Sequence, residues 1–227
     1  MAKRSVDFFF DVISPYSYFG FEGITRHRHL WSTPVRLRPF YFAGVIKQSK
    51  NESPPLAIPI KEKYMYKDLV LNAQYWGVSF RIPKDYKKMM FTSSSIEAQR
   101  LLIAAQLRDE KLMENIARGL WQRLYGYNKE IFSRHDMESV LRDRHVKDAN
   151  ELIESSQSDE VKKILRENTD EALQTGCFGA PWTTVKDASG KTTHAIFGGD
   201  RLPQIADLLG EKFHGNLLDQ AKSQWSL

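Results

Sequence analysis

Three short stretches of the chain hold residue types and spacings suited to capturing an anion or an extended polar ligand. The first is Asp11-Val12-Ile13-Ser14-Pro15-Tyr16-Ser17. Serine is a favoured helix N-cap and proline is favoured at the first helical position, so Ser14 is predicted to open a helix. Unpaired backbone N–H groups and a partial positive charge gather at such a terminus and stabilise an anion placed there. A thiol, with a pKa of about 8.5 in water, would need roughly 2.7 kcal/mol of preferential thiolate binding to drop by ~2 units. A serine hydroxyl hydrogen bond together with the helix terminus could supply most of that. Taken by itself, Ser14-Pro15 is more simply read as a plain helix cap.

The second stretch is Gly179-Ala180-Pro181-Trp182. Proline punctuates the start of a strand, which is the simpler reading of Pro181. A cis bond would instead turn the backbone groups of Ala180 outward, toward an extended peptide-like ligand. The third is Gly198-Gly199-Asp200-Arg201. Its glycines permit a tight turn or a close ligand approach, and Asp200 either caps the helix that follows or accepts from a ligand amine. Several chemistries lack their residues. There is no Cys-x-x-Cys, no His-Glu-x-x-His and no Gly-x-Ser-x-Gly, and Gly190-Lys191-Thr192 lacks the earlier glycine of a Gly-x-x-x-x-Gly-Lys-Ser/Thr phosphate loop. His27 and His29, two apart, suit no shared metal ion, and no metal is expected. The lone Cys177 is expected to be a small core residue.

The elements that must position these stretches follow from pattern. Val6 to Val12 is rich in Phe and Val and predicts a buried strand, Pro15 to about Leu30 a helix, and Pro34 to Pro39 a second strand, together a parallel βαβ unit. Residues 43–60, with Gly44, Asn51, Pro54, Pro55 and Pro59, are expected to form a long irregular loop. Ser94 with Glu97 has the spacing of a capping box. Leu112, Ile116, Leu120 and Leu124 draw one helical stripe, and Val161, Ile164, Leu165, Ala172 and Leu173 another that ends near Gly176. Trp182 to Val185 and Thr192 to Phe197 predict an antiparallel hairpin around Asp187 to Gly190. A last helix with Asp200 as N-cap should run through Leu209.

The 227 residues are 41% hydrophobic and 27% charged, as in an ordinary soluble globular protein. No apolar run approaches the ~20 residues of a membrane helix, no secretory signal is visible, and one cysteine excludes an internal disulfide framework. Residues 1–51 carry eight Lys/Arg against three Asp/Glu, so the net charge of +5 sits entirely in the first quarter. The basic residues alternate with apolar ones and form no block, which argues against nucleic acid and leaves an anionic membrane surface or a small anionic ligand.

The three stretches, with Phe10-x-Val12, Arg38-Pro39, Asn51 before Pro54-Pro55, Phe178-Gly179-Ala180-Pro181 and Phe197-Gly198-Gly199-Asp200-Arg201, resemble the kappa-class glutathione transferases from about residue 5 to 215. That resemblance implies an α/β fold: a thioredoxin-like domain (1–60 and 176–227) with a large all-helical insertion (61–175). It implies detoxifying conjugation of glutathione, as co-substrate with no further cofactor, to small electrophiles by a homodimer. Ser14 then stabilises the thiolate, with Pro15 and Tyr16 lining the same corner. Asn51 contacts glutathione and Lys61 reaches one of its carboxylates. Ala180 pairs main chain with the cysteinyl part beside a cis Pro181, and Gly199 and Asp200 hold the γ-glutamyl end. The sequence departs from the family at Tyr18, where Trp is frequent, at Ala180 and Trp182, and at Gly199, where Ser is common. Two other readings stand beside this one: a glutathione-dependent isomerase of the 2-hydroxychromene-2-carboxylate type, and a non-catalytic thioredoxin-like scaffold. The family implies a mitochondrial or peroxisomal location. Lys3-Arg4 is basic and Trp225-Ser226-Leu227 ends in Leu without the basic middle residue of a peroxisomal address, which favours the mitochondrion.

Overall fold

A computed structural model of the chain describes residues 4–52 and 54–218; Lys3 and Trp225-Ser226-Leu227 lie outside them. Four strands form one mixed sheet in the order β2-β1-β3-β4: β1 (Ser5–Phe10), β2 (Val35–Pro39), β3 (Trp182–Lys186) and β4 (Thr192–Phe197). β1 runs parallel to β2, and helix α1 (Pro15–His27) makes the crossover between them. β3 pairs antiparallel with both β1 and β4, the latter through the predicted hairpin. Helices α2 (Phe42–Gln48), α3 (Pro59–Trp76), α4 (Tyr86–Thr92), α5 (Ile96–Arg108), α6 (Glu110–Trp121), α7 (Arg134–Asp143), α8 (Ala149–Ser155) and α9 (Asp159–Gln174) all fall between β2 and β3, and α10 (Leu202–Leu209) closes the order. This is the thioredoxin-like α/β arrangement with interposed helices that the resemblance implies. Among the described residues no helix is long and apolar enough to cross a membrane.

The period-two alternation of β1 explains its two cores. Phe8 and Phe10 enter the larger cluster, where the Phe10 ring lies 5.0 Å from Phe21 of α1 and 5.7 Å from Trp121 of α6. Phe9 points to the opposite face and packs with Phe40, Val45 of α2, Ala172 of α9, Cys177 and Trp182. Each fully buried Phe withdraws enough apolar surface to contribute ~1.5–3 kcal/mol. The sheet is thus held between two layers of helix, and the β1–α1 corner sits where those layers meet.

Four expectations need correction. Helix α1 stops at His27, because the His27 carbonyl accepts from Leu30 and Trp31 N–H in a closing turn. Residues 43–60 are not an irregular loop. They hold most of α2, a 3-10 turn at Pro55–Ala57 and the start of α3. Gly44 and the prolines suggested a loop, but burial of Val45 in the second core fixes α2, and Pro59 sits in the first turn of α3, where proline is tolerated. The Ser94/Glu97 capping box does not form: the N-cap of α5 is Ser95, whose hydroxyl donates to Asp11 instead. Nor does Asp200 cap α10. Arg201 occupies the N-cap position and gives no side-chain cap bond.

Candidate functional site

Ser14 is the N-cap of α1, with Pro15 at the first helical position. Its Oγ accepts from the Ser17 N–H at 3.2 Å and donates to the Ala180 carbonyl at 3.2 Å. The corner is closed by the Ser14 N–H donating to the Asp11 carbonyl at 3.0 Å. Ser14 is buried, yet it lines a cavity of about 500 Å³ together with Pro15, Tyr16, Asn51 and Ala180. The Ala180–Pro181 bond is cis. The Ala180 N–H has no hydrogen-bond partner among the described residues. Pro181 itself is buried behind the cavity and does not line it.

A second cavity of about 610 Å³ adjoins the first, and Tyr16, Pro55, Met65 and Phe197 line both. Lys61, Gly199 and Asp200 line this one only. The nine residues singled out from the sequence therefore fall on one composite groove, except Pro181, which supports it from behind. Asp200 is exposed, and its carboxylate lies 3.6 Å from Arg201. The two glycines before it serve different ends. Gly198 takes a positive φ of 106°, which only glycine adopts readily. A Cβ on Gly199 would lie 2.7 Å from the Tyr16 carbonyl and 2.9 Å from the Gly20 N–H of α1. Its smallness is required by the close approach of α1. Asn51 donates through Nδ2 to the Phe178 carbonyl at 3.0 Å, which ties its segment to the approach of the cis bond.

Behind the corner lies a set of buried contacts that the sequence reading did not give. The Asp11 carboxylate is fully buried and accepts from Ile13 N–H (3.0 Å), Phe42 N–H (2.9 Å) and Ser95 Oγ (2.8 Å). One carboxylate thereby fastens the β1–α1 corner, the start of α2 and the start of α5. Burial raises its pKa to about 6, against the lowering effect of these three donors. Gln99 of α5 accepts from Val12 N–H and donates to the Phe10 and Phe40 carbonyls at 2.8 Å each. The Tyr125 hydroxyl, from the π-helical turn Gln122–Gly126 after α6, donates to the Ile13 carbonyl. Tyr16 donates to Asp68 of α3 at 2.8 Å, and burial and that hydrogen bond raise its pKa. The only sequence signal for this set was a carboxylate, Asp11, directly after the Phe8-Phe9-Phe10 run that ends β1.

Cys177 is buried and donates through Sγ to the Gly179 carbonyl at 3.2 Å. Burial pushes its thiol up to about 12, far from a thiolate nucleophile. The only serine lining the groove at a helix N-terminus with both a donor to its oxygen and an exchangeable proton, among the described residues, is Ser14.

Residues 5–210 match the family model of the DSBA-like thioredoxin domain. The chain is 60% identical over 218 residues, 96% of its own length and 97% of the relative's, to glutathione S-transferase kappa 2 of Caenorhabditis elegans. It is 36% identical to glutathione S-transferase kappa 1 of Rattus norvegicus, with 94% of each chain covered. Among solved structures, a 2-hydroxychromene-2-carboxylate isomerase superposes with a TM-score of 0.69 at 19% identity, covering 97% of this chain and 99% of that one.

Proposed function

Because the chain belongs to the kappa class of glutathione transferases, on a DSBA-like thioredoxin domain, we propose that it joins glutathione to small electrophiles and that Ser14 holds the sulfur as a thiolate. The observation that carries this reading is the hydrogen-bond state of Ser14, whose oxygen takes the Ser17 N–H while its proton rests on the Ala180 carbonyl. That hydrogen bond can be redirected to another acceptor, the proton staying on the serine oxygen. When the glutathione sulfur, its own proton lost to solvent, accepts it, the Ala180 carbonyl is released to accept the cysteinyl N–H, and the unpartnered Ala180 N–H meets the cysteinyl carbonyl. The helix terminus goes on polarising the hydroxyl through Ser17, so the bond to sulfur is charge-assisted.

The γ-glutamyl end then lies in the larger cavity, with its amine on Asp200 and its chain passing the bare Cα of Gly199. The electrophile enters along the apolar wall of the other cavity, formed by Phe42, Leu56, Met65, Met90, Phe91 and Phe178. The sulfur lone pair forms the new C–S bond. In a substitution the leaving group departs with its bonding electrons. The Asp11 clamp keeps the corner in place throughout, because two of its three donors come from α2 and from the start of α5, outside the corner itself.

Ser14→Ala tests the assignment. Loss of the cap costs ~1 kcal/mol of stability, so the protein stays folded. The ultraviolet absorbance of bound glutathione thiolate should titrate at higher pH in the variant, and turnover at neutral pH should fall with it. An unchanged titration with unchanged turnover would remove Ser14 from the chemistry. Assay of the unaltered protein with a chloronitrobenzene and with a hydroxychromene carboxylate separates conjugation from isomerisation, in which glutathione is returned.

A further inference from the structure

We infer that Lys47 receives the glycyl carboxylate of glutathione and gives the groove its preference for a free C-terminus. This inference rests on the glutathione reading above and extends it to a residue that neither the sequence motifs nor the cis-proline corner pointed to.

The two ends of the groove carry different residues. Gly199, Asp200 and Lys61 line only the larger cavity, whereas Ser14, Ala180 and Asn51 line only the smaller one. A ligand with its γ-glutamyl end on Asp200 and its sulfur on Ser14 must send its last residue onward into the smaller cavity. One residue spans about 3.5 Å when extended, so the terminal carboxylate stays within that cavity. Lys61 sits with the opposite end and suits the γ-glutamyl carboxylate.

The polar groups of the smaller cavity are largely committed. The Ser95 hydroxyl is given to Asp11 at 2.8 Å, and an Asn51 amide proton to Phe178 at 3.0 Å. Ser14 is reserved for the sulfur. Lys47 is the one charged side chain lining this cavity among the described residues. It is exposed and has neither an ion pair nor a side-chain hydrogen bond among them. Its position relative to the corner is fixed at both ends of its helix. The first N–H of α2, that of Phe42, is held by Asp11. After the last turn, the Asn51 N–H donates back to the Ile46 carbonyl at 3.3 Å. Lys47 and Asn51 both line the smaller cavity, one turn of chain apart. The apolar wall opposite lowers the local dielectric, which strengthens a lysine–carboxylate contact relative to open water.

The test is a titration of four proteins with two ligands. Unaltered protein, Lys47→Met, Lys47→Arg and Lys61→Met are each titrated calorimetrically with glutathione and with its glycyl ethyl ester, which lacks the terminal charge. The unaltered protein should bind the ester about ten-fold more weakly than glutathione. Lys47→Met should bind both with the same weakened affinity, and Lys47→Arg should restore part of the preference. Lys61→Met should weaken both ligands alike and keep the ratio between them. Thermal denaturation of the Lys47 variants should match that of the unaltered protein, since the side chain is exposed and unpartnered. Equal binding of the two ligands by the unaltered protein, or a ten-fold preference surviving in Lys47→Met, overturns the assignment while leaving the glutathione reading in place. Absence of binding of either ligand by the unaltered protein overturns both.

Discussion

The carboxylate of Asp200 has no duty toward the helix it precedes, since α10 begins at Leu202 with Arg201 as its N-cap. Its proposed role is therefore separable from folding. Asp200→Asn should leave the thermal midpoint in place and weaken glutathione binding ten-fold or more, because a hydrogen bond to a charged group contributes ~1.5–3 kcal/mol. A fall in stability with affinity intact would show that the γ-glutamyl end lies elsewhere. Asp11 makes a prediction of the opposite kind, one of stability. Its pKa is raised in the folded protein, from 3.8 to about 6. The folded state thus binds more protons than the unfolded one between those values. The stability this group confers is present below 3.8 and is lost as pH rises through about 6. Asp11→Asn removes the titration. Urea unfolding at pH 4.5 and 7.5 should show the gap between unaltered protein and variant narrowing by about 2 kcal/mol at the higher pH. A gap that stays constant would mean the carboxylate does not titrate there. Ser14 was legible because a cap is written in two adjacent residues. Asp11 was not, because its donors Phe42 and Ser95 lie 31 and 84 positions away.

Helices and loops meet at the site through a contact between two glycines. The Cβ that Gly20 lacks would lie 3.0 Å from the Cα of Gly199, and the one that Gly199 lacks would strike the backbone of α1. The departure from serine at position 199 therefore reflects packing in this chain, beyond the loss of one hydroxyl. Gly199→Ala should force α1 and the β4–α10 connection apart, with a loss of ~1–3 kcal/mol of the kind overpacking brings. Urea denaturation and a glutathione titration should both register it, since the displaced segment carries Asp200. Unaltered values in both would show that the two backbones can separate freely. Strands and amphipathic helices were plain from their periods. The helix α2 was hidden: seven residues with a glycine and three prolines soon after give too short a window for a 3.6-residue period to emerge. The capping box failed because spacing alone does not say which of two adjacent serines faces a buried acid.

Across the whole molecule, the order of strands and helices was readable, and so was the fold class. What the chain order did not reveal is that the interposed helices build the floor of the site, through Gln99 on the Phe10 and Phe40 carbonyls and Tyr125 on that of Ile13. Hydrophobic periodicity says which face of a helix is buried but not against what. The same closure seals the lone thiol two residues before Gly179. Because the thiolate is the reactive form, Cys177 should ignore an alkylating reagent in the native protein and react only from an opened chain. Its labelling rate then becomes a clock of opening, legible by mass alone. S-methylglutathione, which offers no thiol to the reagent, should slow that clock about 100-fold at 100 times its Kd, as mass action requires of a ligand bound only to the closed form. Rapid labelling indifferent to the ligand would mean that this stretch opens on its own. If the clock does slow, the one thiol the chain carries reports, from beneath the groove, how tightly the groove is held shut by the sulfur it receives.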